Sequence, residues 1–160
     1  MQRLAPLGRR ATRLRWMLTS TSPGAGANGG SMVRSVLIVD DEPNIVRSLQ
    51  FLMTNAGYDV RVARDGEQAL DEIAKTQPDL VLLDAMMPKR DGFDVCQTIR
   101  ANPRWAGIRV IMLTAKGRDI EREKGMAMGA DDYITKPFST KEVVAQVEKV
   151  LGPAEGSRDE

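Results

Sequence analysis

Five short apolar runs alternate with five segments of helical period between residues 35 and 151, and this alternation limits the possible folds more than any other feature. A strand that is followed each time by a helix forms a parallel sheet with helices on both faces. The pattern therefore predicts an α/β domain with a (βα)5 arrangement. The strands are predicted near residues 35–40, 58–63, 79–84, 108–113 and 131–135.

Apolar residues at helical spacing predict which helix faces pack against this sheet. The fourth helix, near residues 118–129, is poorly periodic and contains Gly125, so we expect it to be the most mobile. Ser139 or Thr140 is predicted to cap the last helix, which Gly152-Pro153 ends. The predicted buried faces are Ile45, Leu49, Leu52 and Ala56; Ala69, Leu70 and Ile73; Phe93, Cys96 and Ile99; and Val143, Val147, Val150 and Leu151.

The order of the strands follows from the handedness of their connections. Right-handed crossovers allow few orders for five parallel strands, and the flavodoxin-like order 2-1-3-4-5 is the one we predict. In that doubly wound sheet the first and third strands are neighbours at the point where the winding reverses, and ligands bind beyond their carboxyl ends.

Polar residues follow four of these predicted strands. Asp40 and Asp41 follow the first run, Asp84 ends the third, Thr114 follows the fourth and Lys136 follows the fifth. Like charges in one crevice raise carboxyl pKa values and oppose folding unless a cation neutralises them. Because the sequence contains no His, the carboxylates favour an oxygen-preferring cation, Mg²⁺ or Mn²⁺.

A metal ion, an ammonium and a hydroxyl together are suited to a phosphoryl group, because phosphoryl transfer depends mainly on positioning and charge neutralisation. A carboxylate can itself be the nucleophile and form an aspartyl phosphate. Asp84 is the best candidate, since its strand is central and two acidic neighbours can hold an ion beside it.

The motifs Asp40-Asp41, Asp84, Thr114-Ala115 and Lys136-Pro137 occur in this order and resemble those of a response-regulator receiver domain over residues 34–151. The resemblance implies that Asp84 accepts a phosphoryl group from a sensor histidine kinase or a phosphotransfer protein. It also implies a cytoplasmic signalling domain that controls a downstream protein target or relays phosphate, and not an enzyme beyond self-catalysed phosphorylation and dephosphorylation.

The same resemblance implies a ligand set for the metal ion. Asp41 and Asp84 would bind Mg²⁺ directly, Asp40 would bind mainly through water, and the backbone carbonyl of Met86 would be a further ligand. The side chains of Met86 and Lys116 would border the path of attacking water and influence the lifetime of the phosphorylated state.

The resemblance further implies how phosphorylation is detected. Thr114 would hydrogen-bond one phosphoryl oxygen and Lys136 would pair with another, with a cis bond between Lys136 and Pro137. Tyr133 would turn inward when Thr114 moves and so alter the surface of helix 4, strand 5 and helix 5.

The two ends of the chain differ from this domain in composition. Residues 1–31 contain five arginines and no acid, and we expect a disordered basic extension, either dispensable or preceding a true start at Met32. The remaining 18 basic and 22 acidic residues give the domain a net charge of −4, which argues against direct DNA binding. Residues 152–160 are expected to be a short tail without an output domain. No segment approaches the roughly 18 apolar residues of a membrane span.

Three other functions can be compared with this one. An aspartate-nucleophile phosphatase of the haloacid dehalogenase type needs a second Asp two residues after the first, where this chain has Met86. A flavodoxin-like FMN carrier needs a Ser/Thr/Gly-rich phosphate loop after the first strand, where this chain has Asp41-Glu42-Pro43. A receiver-like module that binds partners without phosphorylation stays open, although the full set of acid, hydroxyl and lysine argues against it.

Overall fold

The structure is a computed structural model that describes residues 33–115 and 119–152. Our predictions for residues 1–31, for Lys116 and for residues 153–160 lie outside these ranges. The strands are β1 (Ser35–Val39), β2 (Asp59–Ala63), β3 (Leu80–Asp84), β4 (Arg109–Ala115) and β5 (Asp132–Lys136). The helices are α1 (Pro43–Asn55), α2 (Gly66–Lys75), α3 (Gly92–Ala101), α4 (Asp119–Ala127) and α5 (Thr140–Leu151), with a short 3-10 turn at Pro103–Trp105.

The five strands form one parallel sheet in the order β2-β1-β3-β4-β5, so the predicted doubly wound, flavodoxin-like α/β fold is confirmed. The predicted strand limits differ from the observed ones by one or two residues. The largest difference is in β4, which continues to Ala115 rather than ending near residue 113.

Apolar side chains of the strands alternate between two cores, one on each face of the sheet. Leu37, Val81 and Met112 point into the core that α2 and α3 cover. Ile38, Leu82 and Leu113 point into the core that α1 and α5 cover. Because both faces are covered, β3 is buried along its whole length, as a central parallel strand should be.

The predicted face of α1 is rotated relative to the observed one. Val46, Leu49 and Met53 are buried, whereas Leu52 and Ala56 are only partly buried. The burial of Leu49 was predicted correctly, whereas Leu52 and Ala56 lie at the side of α1 that faces α5. The prediction therefore found the apolar side of the helix and missed two of its three buried residues, Val46 and Met53.

Side chains at the strand-to-helix turns fix where several helices begin. Asp65 and Asp91 cap α2 and α3 by accepting a backbone N–H from the third residue after them. Ser139 caps α5 as predicted, and it does so in a capping box with Glu142. These short turns hold the carboxyl edge of the sheet close to the helix ends.

None of the helices in the described part of the chain is both long enough and apolar enough to cross a membrane.

Candidate functional site

Three carboxylates meet at the carboxyl edge of β1 and β3, which are neighbours in the sheet. Asp40 directly follows β1 and is fully buried, and Asp84 is the last residue of β3 and is 6% exposed. Asp41 is exposed at the rim. One oxygen from each of these side chains lies within 4.8 Å of the others. The structure therefore brings together the three acids that the sequence singled out.

Lys136 closes the site from the end of β5, three strands away from β1. Its Nζ lies 3.0 Å from Oδ2 of Asp40 and 3.2 Å from Oδ1 of Asp84, to which it donates a hydrogen bond. The peptide bond between Lys136 and Pro137 is cis, as the resemblance implied. A single ammonium thus bridges the two most buried carboxylates.

Burial raises the pKa of Asp84 to about 6, the Asp40 carboxylate acts in the same direction, and the Lys136 ammonium offsets part of the increase. Burial acts to lower the pKa of Lys136, but the carboxylates of Asp84 and Asp40 outweigh it, so this pKa lies above its ordinary value. One lysine therefore leaves the acidic cluster only partly neutralised.

The donor set of the cluster fits a hard divalent cation. All three side chains offer carboxylate oxygens, and the buried Oδ2 of Asp40 has the Lys136 ammonium 3.0 Å away. Among the described residues, this is the only group of three or more acids, histidines or cysteines close enough together to share an ion. Oxygen donors with no nitrogen or sulfur match Mg²⁺ or Mn²⁺ better than Zn²⁺.

Thr114 and Met86 lie on neighbouring parts of the same edge. Leu113 pairs with Asp84 across β3 and β4, so Thr114 is one residue beyond that pair, and it is 2% exposed. The backbone N–H of Met86 points to Oδ1 of Asp84 at 3.4 Å, while the Met86 side chain is exposed. The turn that begins at Ala85 thus passes over the Asp84 carboxylate.

This turn is held against β3 by a close approach that only glycine permits. The backbone N–H of Gly92 donates to the carbonyl of Ala85 at 2.9 Å. A Cβ at Gly92 would lie 2.2 Å from the backbone oxygen of Asp84. The start of α3 therefore packs directly on the backbone of the strand end that carries Asp84.

Tyr133 lies on β5 next to the site and is partly buried against the core that α2 and α3 cover. Arg122 on α4 donates a hydrogen bond from Nη1 to the Tyr133 hydroxyl at 3.2 Å, and its guanidinium lies 4.9 Å from the ring centre. These two contacts tie the side chain of Tyr133 to α4.

Two acidic residues near the site were not identified as site residues from the sequence. Oε1 of Glu42 lies 4.0 Å from Nζ of Lys136. Glu121 on α4 is 6% exposed and accepts the backbone N–H of Ala115, the residue after Thr114, at 3.3 Å. An acid on a poorly periodic helix looks like a solvated surface residue, so no local signal pointed to Glu121.

A family model for the response regulator receiver domain matches residues 36–148. The chain belongs to the response regulator receiver family. Receiver domains are signalling domains rather than classical enzymes, and their acidic pocket typically binds Mg²⁺.

Solved structures of other receiver proteins have the same fold. A protein assigned as a response regulator from Chloroflexus aurantiacus is 37% identical, with a TM-score of 0.73 over 74% of this chain and 98% of that chain. The chemotaxis protein CheY4 of Vibrio cholerae is 29% identical, with a TM-score of 0.71 over 74% and 99%. NtrX of Brucella abortus is 28% identical, with a TM-score of 0.71 over 75% of this chain but only 27% of that chain.

Proposed function

We propose that this receiver is a phosphorylation-controlled switch in which Asp84 is the phosphoacceptor. The observation that supports this most directly is the position of Lys136, whose Nζ contacts both Asp40 and Asp84 within 3.2 Å. An ammonium held there can pair with an oxygen of a group bonded to Asp84. Lys136 would keep an anionic partner after phosphorylation, because the transferred phosphoryl group carries negative charge of its own.

The reaction at Asp84 is an in-line displacement at phosphorus. A carboxylate oxygen of Asp84 attacks the phosphorus of a phosphohistidine, and the phosphorus–nitrogen bond breaks with its electron pair going to the imidazole. The imidazole takes a proton from solvent and leaves, so the product is an acyl phosphate on Asp84. A pKa of about 6 leaves this carboxylate mainly ionised at pH 7 and therefore nucleophilic.

The cation that fits this donor set is Mg²⁺, with Mn²⁺ as an alternative. Asp41 and Asp84 would hold it directly, Asp40 mainly through water, and the backbone carbonyl of Met86 would complete the protein ligands. When bound, it supplies positive charge that offsets the negative charge of the incoming phosphoryl group. Three clustered carboxylates that share the single ammonium of Lys136 support a site that needs more positive charge than Lys136 provides.

Thr114 and Lys136 hold the phosphoryl group once it is on Asp84. The Thr114 hydroxyl donates to one phosphoryl oxygen, and the Lys136 ammonium pairs with another. Thr114 is nearly fully buried, and the backbone N–H of the next residue, Ala115, donates a hydrogen bond to Glu121 on α4. A shift of Thr114 toward Asp84 therefore also pulls on α4. The chemical change therefore reaches α4, which forms part of the proposed output surface.

Tyr133 is the proposed second part of the switch. Its side chain turns inward after Thr114 has moved, and the contact with Arg122 has to break for this to happen. The output is then a changed surface of α4, β5 and α5. A downstream protein target reads this surface, or a phosphotransfer partner takes the phosphoryl group onward; both roles use the same residues.

An assay with acetyl phosphate and Mg²⁺ tests the proposal. The wild-type protein should gain one phosphoryl group that is stable enough to be mapped to Asp84, and the label should require Mg²⁺. Asp84→Asn should abolish it, whereas the control Asp71→Asn, at an exposed position of α2, should leave it unchanged. Labelling of wild type and Asp84→Asn to the same extent would refute the assignment, and rapid multiple turnover would favour a phosphatase instead.

A further inference from the structure

One face of α3 holds the C-terminal end of α4 and the turn that follows it. Phe93, Cys96 and Arg100 lie on successive turns of this face, at helical spacing. The ammonium of Lys124 lies 4.6 Å from the centre of the Phe93 ring. The Cys96 thiol donates a weak hydrogen bond to the carbonyl of Met128, with 3.7 Å between sulfur and oxygen. Successive turns of α3 thus contact successive parts of this segment.

Arg100 makes the strongest of these contacts. Its Nε donates to the carbonyl of Gly129 at 2.8 Å, and its Nη2 donates to Oδ2 of Asp131 at 2.8 Å. The same carboxylate oxygen accepts the backbone N–H of Val110 on β4 at 2.8 Å. The side chains of Arg100 and Asp131 are 24% and 27% exposed, so salt screens this ion pair less than a fully exposed one. One guanidinium therefore joins α3, β4 and the turn between α4 and β5.

The backbone after α4 is shaped to receive Arg100. Gly129 has a φ of +106°, a conformation that residues with a side chain rarely adopt. A Cβ there would lie 2.6 Å from Cγ of Arg100, so the aliphatic part of the arginine packs directly against the glycine. Gly125 approaches β4 closely, because a Cβ at that position would lie 3.0 Å from Cγ of Met112. The C-terminal end of α4 is therefore held by both α3 and β4.

The first turn of α4 has different partners. Glu121 accepts the backbone N–H of Ala115, and Arg122 donates to the hydroxyl of Tyr133. These partners belong to the proposed switch, since Ala115 follows Thr114 and Tyr133 is the residue that turns inward. The first turn of α4 is thus attached to groups that move in the proposed switch, whereas its last turn is attached to α3 and β4.

We propose that Arg100 is a positioning residue of the switch, which fixes the C-terminal end of α4 so that phosphorylation tilts the helix about that end. A shift of the whole helix would break the bonds from Arg100 to Gly129 and Asp131, whereas a tilt leaves them in place. The displacement is then concentrated in the first turn. This inference rests on the proposed function for the tilt, while the contacts of Arg100 belong to the resting protein and can be tested there.

Hydrogen exchange of backbone amides, followed by NMR, tests the role of Arg100 without phosphorylation. The amides of Met128, Ala130 and Asp131 are bonded to carbonyls of α4 and β4, so their exchange reports the opening of this end. Arg100→Met keeps an unbranched aliphatic chain and removes the guanidinium, so these amides should exchange at least about tenfold faster relative to those of β3. The control Arg104→Met, at an exposed position of the 3-10 turn, should leave them unchanged. An equal acceleration in β3 would show general destabilisation and overturn the proposal.

Distances between spin labels test the tilt. Burial raises the pKa of the Cys96 thiol to about 11, so this cysteine stays unlabelled. Labels on Ile120→Cys and on Ala127→Cys, each paired with Asp71→Cys on α2, occupy exposed positions. Mg²⁺ and beryllofluoride should move the label at Ile120 about four times as far as the label at Ala127, because these residues lie roughly 13 Å and roughly 3 Å along the helix from Gly129.

Arg100→Met provides the comparison for this measurement. In that background the two labels should move by similar distances, because the far end of α4 is no longer fixed. Equal movement of both labels without this substitution would overturn the proposal, and so would a ratio that Arg100→Met leaves unchanged. The tilt is also wrong if neither label moves although Asp84 carries beryllofluoride. If Asp84 accepts neither beryllofluoride nor a phosphoryl group, the proposed function fails, and the exchange measurement still decides whether Arg100 fixes the end of α4.

Discussion

Replacing Asp84 with asparagine should stabilise the cation-free protein, although it removes the group to which we assign the function. The Asp84 side chain is 9% exposed and lies beside the Asp40 carboxylate. Burial and this neighbour raise the pKa of Asp84 from 3.8 to about 6, even with Lys136 at 3.2 Å. The ionised form is therefore less favourable in the folded protein than in the unfolded chain.

The size and sign of the effect follow from proton linkage. A carboxyl group whose pKa is raised on folding binds its proton more tightly in the folded state, so stability falls as pH rises from about 4 to about 6 and stays low above it. Raising the pKa of Asp84 from 3.8 to about 6 lowers the free energy of unfolding by about 3 kcal/mol at pH 7.5, and by about half of this at pH 5. Asp84→Asn avoids the penalty at every pH, so its advantage over wild type should be larger at pH 7.5 than at pH 5.

Urea unfolding in EDTA at several pH values measures this difference. Asp71→Asn, an exposed carboxyl on α2, is the matched control and should change the free energy of unfolding by less than about 0.5 kcal/mol. Added Mg²⁺ should stabilise the wild type more than Asp84→Asn, since a ligand stabilises the state that binds it. An Asp84→Asn protein that is no more stable than wild type in EDTA at pH 7.5, or an advantage independent of pH, would refute the reasoning.

Three further substitutions test other contacts. Lys136→Gln should lower the free energy of unfolding in EDTA by about 2 kcal/mol or more, because it leaves two buried carboxylates without their cation. The control Lys149→Gln, at a side chain that is 71% exposed and pairs with Asp132, should cost less than about 1 kcal/mol. Equal losses would contradict the central position of Lys136. Gly92→Ala should destabilise the domain by about 2 kcal/mol or more because its Cβ meets backbone at 2.2 Å, and Gly107→Ala, which meets nothing within 4 Å, should not. Ser139→Ala should cost about 1 kcal/mol through the lost α5 cap, and an unchanged urea midpoint would show that the cap contributes nothing.

The strand order and most of the core could be predicted from the sequence because they follow from periodicity and chirality. Apolar runs that are buried on both sides locate strands, and right-handed crossovers leave few ways to order them. The α1 face was only partly predicted. Its apolar stripe is wide enough to include both Leu52 and Met53, and only the position of α5 decides which of them is covered by the sheet.

The candidate site was predictable as a set of residues and not as a geometry. Strand ends bring Asp40, Asp84 and Lys136 to one edge, but their separations depend on side-chain packing at that edge. The contacts of Glu121 and Arg122 could not be predicted, because α4 has a weak apolar pattern and its orientation is set by the strands beneath it.

The most direct test of the central claim is a crystal structure of the protein with Mg²⁺ and beryllofluoride, which mimics a phosphoryl group. We expect beryllium bonded to a carboxylate oxygen of Asp84, a cation held by Asp41 and Asp84, and Lys136 and Thr114 in contact with fluorine atoms. A structure under saturating conditions in which Asp84 carries no beryllofluoride, or in which Lys136 points away from it, would contradict the account.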